Sequence, residues 1–164
     1  MDLAEHLRDM FYYDSDTGLF TRLKTTSSNA IAGMIAGGVR PDGYVYIQFA
    51  GRRYYAHRLA WLYVHGHFPV GEIDHVDGDP SNNRLNNLRD VSKSVNQQNL
   101  KRAKSHNPHK LLGVRFDKRT SKNPWVTRIV TNKKVVHLGC FSSAEEAHQA
   151  YLTAKRQHHE GNTL

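Results

Sequence analysis

The spacing of hydrophobic residues along the first half of the chain predicts a small mixed structure of helices and strands. Four apolar residues recur at helical spacing near the start: Leu3, Leu7, Met10 and Phe11. The aromatic and β-branched run 44–49 and the run 52–56 predict two strands joined by a hairpin turn at Ala50 and Gly51. A short apolar helix over residues 57–66 follows, and Gly66 ends it.

The last third of the chain has a different pattern, which predicts three strands and then a helix. Segments 112–116, 125–130 and 135–139 are rich in strand-forming residues. Ser143 and Glu146 form the sequence signature of a capping box, which opens a helix. Small apolar residues follow on one helical face: Ala147, Ala150, Tyr151 and Ala154. We therefore predict that one helix packs closely on a small three-stranded sheet.

The polar stretch 73–88 between these parts contains the residues with the most chemical potential. Asp74 offers a carboxylate and Asn96 an amide oxygen, and oxygen ligands suit Mg²⁺ or Mn²⁺. His75 has an unperturbed pKa near neutrality, so it can accept a proton from water. Asn87 is placed to accept the other ring N–H and fix the tautomer of His75. These groups suit hydrolysis of a phosphodiester with one divalent cation, whereas composition alone favours a solvated Asn/Asp/Gly loop.

The positions of Asp74 and His75 set a geometric condition on this site. Neighbouring residues on a regular strand point to opposite faces of the sheet. The two side chains can therefore share a site only if the strand ends at that point, and Gly78 and Pro80 predict such an ending.

The order of residues in this stretch, Ile-Asp-His-x-Asp-Gly-x-x-x-Asn-Asn followed by Asn-Leu and Asn-x-x-Asn, resembles the catalytic unit of phage-type HNH endonucleases, including the HNH homing endonucleases. The resemblance covers roughly residues 44–100. It implies two strands and a helix around one metal ion, with His75 as the general base. It further implies that Asp74 and Asn96 are metal ligands and that Asn87 is the middle residue of the motif.

The charge of the chain indicates a polyanionic partner. The formal net charge is +8 and the isoelectric point is near 9.7. Residues 101–134 contain eleven Lys and Arg against one acid, Asp117, so the basic excess lies in this segment. Such a block is often simply solvated, but one that alternates with strand-forming residues favours a surface that follows phosphates.

Four short signatures in the C-terminal part resemble the plant ethylene-response-factor (APETALA-type) DNA-binding domain. They are Gly113-Val114-Arg115, Trp125-x-x-x-Ile129, Leu138-Gly139-x-Phe141 and Ala144-Glu145-Glu146-Ala147-x-x-Ala150-Tyr151. The resemblance implies that the sheet lies in the major groove of DNA. It nominates Arg115, Arg128 and His137 as DNA contacts, and Lys118, Arg119, Lys133 and Lys134 as phosphate partners. The chain departs from the plant pattern between Phe116 and Trp125 and at His137, so no base preference is inferred.

Arg52 and Arg53 stand beside Tyr54 and Tyr55 on a predicted strand, a combination that suits contact with phosphate and sugar. The alternative is a basic strand edge that resists aggregation.

Together these patterns predict an α+β protein of two domains. Residues 1–104 form an HNH nuclease domain with an N-terminal β extension and a ββα-metal catalytic unit at about 70–100, and residues 105–164 form the DNA-binding domain. The predicted function is metal-dependent cleavage of double-stranded DNA with one Mg²⁺ or Mn²⁺ per active site, by a monomer or weak homodimer. A DNA-binding regulator with an inactive nuclease unit is the alternative, and a nuclease for structured RNA is a third.

The sequence also gives an expectation about location. Cys140 is the only cysteine, which excludes an intramolecular disulfide and a Cys-based zinc site. There is no long apolar run and no signal-peptide pattern, so we expect no membrane partner and a cytoplasmic location.

Overall fold

The structure, a computed structural model, describes residues 2–101, 103, 107, 109–120, 122–131, 133–159 and 161–163. The chain divides into two compact units, Met1–Asn96 and Gln97–Leu164. The boundary predicted from sequence, between residues 104 and 105, falls on positions outside the described residues.

The first unit begins with helix α1 (Leu3–Met10) and the antiparallel strands β1 (Phe11–Asp14) and β2 (Leu19–Arg22). Asp2 caps α1, and its side chain and that of Glu5 form a capping box. The helix predicted from the apolar spacing is therefore confirmed.

A three-stranded sheet and a second helix follow. The strands β3 (Gly38–Val39), β4 (Val45–Phe49) and β5 (Arg52–Tyr55) lie in the order β3-β4-β5. Ala50 and Gly51 join β4 to β5 with φ of 49° and 74°, the left-handed conformations that a tight two-residue hairpin requires. Helix α2 (Ala56–His65) ends at a left-handed Gly66.

The core of this unit lies between the two helices and the strands. Its buried hydrophobic residues are Ala4, Leu7, Phe11, Tyr13, Phe20, Ala36, Ile47, Phe49, Ala56, Leu59, Ala60, Leu62, Ile73 and Leu88. Ile73 and Leu88 are the two ends of the polar stretch 73–88. That stretch is therefore anchored in the same core.

The segment 72–98, which contains the polar stretch 73–88, folds as two strands and a helix. Strand β6 (Glu72–His75) pairs antiparallel with β7 (Leu88–Val91), which follows a 3-10 turn at Leu85–Asn87. Helix α3 (Lys93–Gln98) comes next. Residues 88–91 bond to β6, so the segment has the two strands and a helix that the resemblance implies.

The second unit contains the antiparallel strands β8 (Val114–Phe116), β9 (Trp125–Thr131) and β10 (Lys134–Phe141) in the order β10-β9-β8. Helix α4 (Ala144–His158) packs on this sheet. The predicted α+β fold class, with small antiparallel sheets and helices, is thus confirmed.

The cap of α4 differs in one detail from the predicted capping box. Ser143 Oγ accepts the Glu146 N–H at 3.1 Å as expected, but the Glu146 carboxylate accepts from Ser142 Oγ at 2.9 Å. Within the described part of the chain, no helix has both the length and the apolar character needed to cross a membrane.

Candidate active site

Asp74 and His75 are consecutive residues at the end of strand β6. Asp74 lies opposite Arg89 and His75 opposite Leu88 in the β6–β7 ladder. His75 is the last residue of the strand, and its carbonyl accepts the N–H of Gly78 at 2.8 Å in a tight turn. The strand therefore ends directly after His75, and Asp74 and His75 both lie within the ladder. Both side chains are buried, with residue exposures of 4% for Asp74 and 6% for His75.

Asp74 is held in an ion pair with Arg89. Arg89 Nε donates to Asp74 Oδ2 at 2.7 Å, and Arg89 Nη2 lies 2.6 Å from the same oxygen. Charge-assisted hydrogen bonds of this kind fix a carboxylate firmly. The sequence analysis did not identify Arg89, although its position directly across from Asp74 follows once the two strands are paired.

Asn96 reaches the same strand from helix α3. Its Nδ2 donates to Glu72 Oε2 at 2.7 Å, which orients the amide. Glu72 and Asp74 are two residues apart on β6, so they lie on the same face of the ribbon. The structure thus places the two nominated metal ligands on one side of the unit and adds Glu72, a carboxylate that sequence reasoning missed.

The ring of His75 is oriented by Asn83. Its Nε2 lies 3.3 Å from Asn83 Oδ1, and Asn83 Nδ2 in turn donates to the Ser81 carbonyl at 3.2 Å. An amide oxygen can only accept, so this contact favours the tautomer with the proton on Nε2 and the basic lone pair on Nδ1. Burial lowers the pKa of His75, against opposing contributions from Asn83 and the neighbouring carboxylates, which favours the neutral ring that a general base requires.

Asn87 was predicted to bond to the ring of His75, but its hydrogen bonds go to the loop. Its Nδ2 donates to Asp77 Oδ1 at 3.0 Å and to the Asn82 carbonyl at 2.8 Å, and its Oδ1 accepts the Asp77 N–H at 3.0 Å. These bonds tie the two ends of the loop together. In this structure Asn87 therefore braces the loop that carries the site, and Asn83 takes the position beside the imidazole, because the loop folds Asn83 back over the end of β6.

His57 on α2 packs against the candidate base. The two imidazoles have ring centroids 5.1 Å apart and meet edge to face, and the rings of Tyr44 and Tyr55 complete the cluster. Burial, and next the proximity of His75, lower the pKa of His57 to about 3. His57 Nδ1 is buried with no hydrogen-bond partner among the described residues. His57 therefore stays uncharged beside His75.

The turn between β1 and β2 supports the catalytic loop from outside. Tyr13 Oη donates to the Asn83 carbonyl at 2.7 Å, and the Leu85 N–H donates to the Ser15 carbonyl at 3.0 Å. A Cβ added to Gly18 would lie 2.5 Å from Arg84 N, so the two backbones meet closely. The N-terminal extension thus fixes the residue that orients the base.

The donor set suits a hard divalent cation. A carboxylate on Asp74, a second on Glu72 and an amide oxygen on Asn96 are the ligand types that Mg²⁺ and Mn²⁺ prefer, usually alongside several waters. Among the described residues there is no group of three or more His, Cys, Asp or Glu side chains arranged to hold a metal.

In the second unit, the residues nominated for DNA contact share one face of the sheet. Arg115 pairs with Val126, and Arg128 pairs with His137 across the strands. Residues in register point to the same side, and Arg115, Arg128 and His137 are exposed, whereas Thr127, which lies between Val126 and Arg128, is fully buried. The nominated lysines 118, 133 and 134 are also exposed.

Asp117 organises two of these arginines. Arg119 Nη2 lies 2.7 Å from Asp117 Oδ2, and Arg115 Nη2 lies 3.3 Å from the same oxygen. The hydrogen bonds from Arg119 hold the pKa of the Asp117 carboxyl well below its usual range. The two guanidinium groups therefore keep a net positive charge and a fixed spacing.

Arg52 and Arg53 are separated by the alternation of strand β5. Arg53 lies across from Gln48, on the face of the sheet that lines a surface groove, and Arg52 lies across from the buried Phe49. The two arginines were nominated together, but only Arg53 lines this groove.

Comparison with known proteins finds a similarity in the central segment. Residues 54–98 match the HNH endonuclease family. The matched segment runs from β5 through α3 and contains Asp74, His75, Asn87 and Asn96. No curated protein is significantly similar to the chain.

One solved structure, titled "DNA binding and cleavage by the HNH homing endonuclease I-HmuI", is similar at 20% identity with a TM-score of 0.45. The similarity covers 98% of this chain and 93% of that one, but a likeness of this size does not establish a shared activity. The family match agrees with the nuclease class that the motif predicted: residues 54–98 are similar to the HNH endonuclease family.

Proposed function

We propose that this protein is a divalent-metal-dependent DNA endonuclease, with cleavage by the first unit and DNA targeting by the second. The observation that carries the proposal is the buried pair of Asp74 and His75 at the end of β6, inside the segment that matches the HNH endonuclease family. A buried carboxylate beside a buried imidazole is costly to maintain, so its presence favours a chemical role.

In the proposed reaction His75 takes a proton from water. The resulting hydroxide attacks phosphorus, the bond from phosphorus to the 3′ oxygen breaks, and that oxygen takes a proton from solvent. The products carry a 5′-phosphate and a 3′-hydroxyl. When bound by Asp74 and Asn96, a Mg²⁺ or Mn²⁺ ion supplies charge neutralisation for the phosphate and the departing oxygen. Asn83 keeps the ring of His75 in the tautomer that accepts the proton.

The test is cleavage of supercoiled plasmid with Mg²⁺, with and without a chelator. We expect His75→Ala to lower the single-turnover rate by about 10²- to 10⁴-fold, the usual contribution of a general base. His65→Ala removes an exposed histidine from helix α2 and is the matched control. Unchanged cleavage by His75→Ala, or cleavage that survives the chelator, would contradict the assignment.

One observation favours the alternative of a DNA-binding regulator with an inactive nuclease unit. Arg89 already neutralises Asp74, the carboxylate nominated for the metal. The same plasmid assay separates the two functions, because a regulator would bind the plasmid without nicking it at any concentration of Mg²⁺ or Mn²⁺.

The exposed face of β8, β9 and β10 is the basis for the proposed targeting role. Arg115 and Arg128 stand among small apolar side chains, Val126, Val130 and Val135, and this mixture suits contact with both phosphates and base edges. The preference for double-stranded DNA over structured RNA is tested by competition between the two in a binding assay.

A further inference from the structure

We infer that the outward face of strands β4 and β5 is a track for one strand of the DNA substrate, and that a groove lined by arginines at one end of this track binds a backbone phosphate. The inference rests on the proposed function and adds a second substrate contact within the first unit.

The groove has the chemistry of a phosphate site. It has a volume of about 400 Å³, and its polar lining consists of Arg22, Asn29, Arg40, Tyr46, Gln48 and Arg53. No carboxylate lines it in the part of the chain that the structure describes. Three guanidinium groups with two amide groups beside them are strong donors for phosphate oxygens, while the Tyr46 hydroxyl donates to the Asp42 carboxylate at 3.2 Å.

Local contacts hold these donors in place. The guanidinium of Arg40 lies 5.3 Å from the centroid of the Tyr46 ring, within the range of a cation–π interaction. Arg53 and Gln48 are partners in the β4–β5 ladder, so their side chains stand on the same face. Because these side chains are already held in place, less conformational entropy is lost when a phosphate binds.

A continuous row of rings leads from this groove to the candidate base. The ring of Tyr46 lies 4.3 Å from that of Tyr55, Tyr55 stacks on His57 at 5.1 Å, and His57 lies 5.1 Å from His75. Tyr44 lies beside the same row, 6.0 Å from His75. Arginines followed by aromatic rings are the combination that single strands of nucleic acid use for binding. The groove is therefore placed to hold a phosphate a few nucleotides away from the bond that is cut.

The first experiment measures duplex DNA binding by the full chain carrying His75→Ala, across a range of salt concentrations. We expect Arg40→Ala and Arg53→Ala each to weaken binding about tenfold and to reduce the slope of log K against log salt by about 0.9, the value for one lost phosphate contact. Arg52→Ala removes the same charge from the neighbouring position of the same strand, outside the groove, and should change binding by less than about twofold. Arg53→Lys keeps the charge, so it should bind DNA more tightly than Arg53→Ala. That partial recovery would show that the weaker binding of Arg53→Ala comes from the lost charge and not from unfolding.

The second experiment replaces single phosphates of the cleaved strand by neutral methylphosphonates. We expect one position, on one side of the cut, where the replacement weakens binding by the His75→Ala chain but not by the chain that also carries Arg53→Ala. An equal loss from Arg52→Ala, or no such position, would overturn the inference. A third outcome is that Arg40→Ala and Arg53→Ala leave DNA binding unchanged while millimolar inorganic phosphate displaces a phosphate probe from the groove. That outcome would overturn the inference and assign the groove to a small anion. Plasmid cleavage by Arg53→Ala with His75 intact shows whether the nuclease function stands independently of the groove.

Discussion

At the scale of single residues, the site depends on buried polar groups that hold one another in place. Asp74 is fixed by Arg89, Asn96 by Glu72, and His75 by Asn83. Each of these pairs joins a residue of β6 to a residue from another part of the unit. The chemistry of the nominated residues therefore depends on partners that the motif itself does not name.

The ion pair between Asp74 and Arg89 predicts a link between stability and metal binding. Arg89→Gln leaves a buried carboxylate without its cation, and we expect a loss of about 2–3 kcal/mol in unfolding free energy, somewhat below the cost of breaking a fully buried pair. Because Mg²⁺ then meets less competition at Asp74, it should raise the unfolding midpoint of the variant more than that of the wild type.

The control for this prediction is the exposed pair of Lys24 and Asp9, whose atoms lie 2.5 Å apart. Lys24→Gln should cost less than about 1 kcal/mol, because surface ion pairs contribute little. Equal Mg²⁺ shifts in the wild type and in Arg89→Gln would show that the metal does not bind at Asp74.

The buried His57 predicts a pH dependence of stability. Its pKa is about 3 in the folded state and 6.5 in the unfolded chain, so the unfolded state binds more protons between these values. The stability that neutral His57 contributes is therefore complete above pH 6.5 and is lost as the pH falls toward 3, by at most about 5 kcal/mol.

Urea unfolding at several pH values measures this dependence. His57→Phe keeps a ring at the same place without a titrating group, so its stability should fall less steeply between pH 6.5 and 4 than that of the wild type. His65→Phe, at an exposed position, should follow the wild-type curve. Parallel curves for His57→Phe and the wild type would contradict the assignment of a neutral, buried imidazole.

At the scale of elements, the β1–β2 hairpin and the catalytic loop act as one assembly. The hairpin contributes Tyr13, Ser15 and Gly18 to contacts with residues 83–85 of the loop. Asn87 closes the loop from within. The N-terminal extension is therefore a support for the active site and not a separate module.

Gly18→Ala tests this support. The added Cβ would meet the backbone of Asn83 and Arg84 at 2.5 Å, so the loop must move. We expect a loss of about 2–3 kcal/mol in stability and a lower cleavage rate, because Asn83 orients His75. Gly66→Ala has a similar positive φ with nothing within 4 Å of the new Cβ, and it should lose stability without a comparable loss of rate at saturating DNA. If both changes lowered stability and cleavage rate equally, backbone strain alone would explain the losses and the support of the loop by the hairpin would be contradicted.

At the scale of the whole molecule, the chain divides into two compact units, and helix α3 contains the division between them. The residues that follow Asn96 are fastened within the second unit. Gln98 Oε1 accepts the Gly161 N–H at 3.1 Å, Asn99 Oδ1 accepts from Thr163 Oγ1 at 2.5 Å, and the buried Lys155 donates to the Leu100 carbonyl.

Removing residues 105–164 tests the proposed division of labour. The shortened chain should bind DNA more weakly and with a shallower salt dependence, since it loses the basic face of the second unit. It also loses the partners of Gln98, Asn99 and Leu100, so hydrogen exchange at the end of α3 should be faster, while plasmid cleavage persists at high protein concentration. Binding as tight as that of the full chain would show that the second unit does not target DNA.

The sequence alone determined the elements and the identity of the chemical groups. Hydrophobic spacing predicted α1, the β4–β5 hairpin, α2, and the three strands and helix of the second unit, because local periodicity and turn chemistry act over a few residues. The order of Asp74, His75, Asn87 and Asn96 predicted a nuclease segment, and residues 54–98 are similar to the HNH endonuclease family. The strand at residues 88–91 has no clear pattern of its own, because its conformation comes from pairing with β6.

Only the tertiary structure decided the partners of these groups. Arg89, Glu72 and Asn83 became visible when strand pairing and loop folding brought distant positions together, and Asn87 was found to brace the loop for the same reason. The row of rings from the arginine groove to His75 joins β4, β5, α2 and β6. Such contacts depend on the packing of elements far apart in the chain, which no local pattern of residues records.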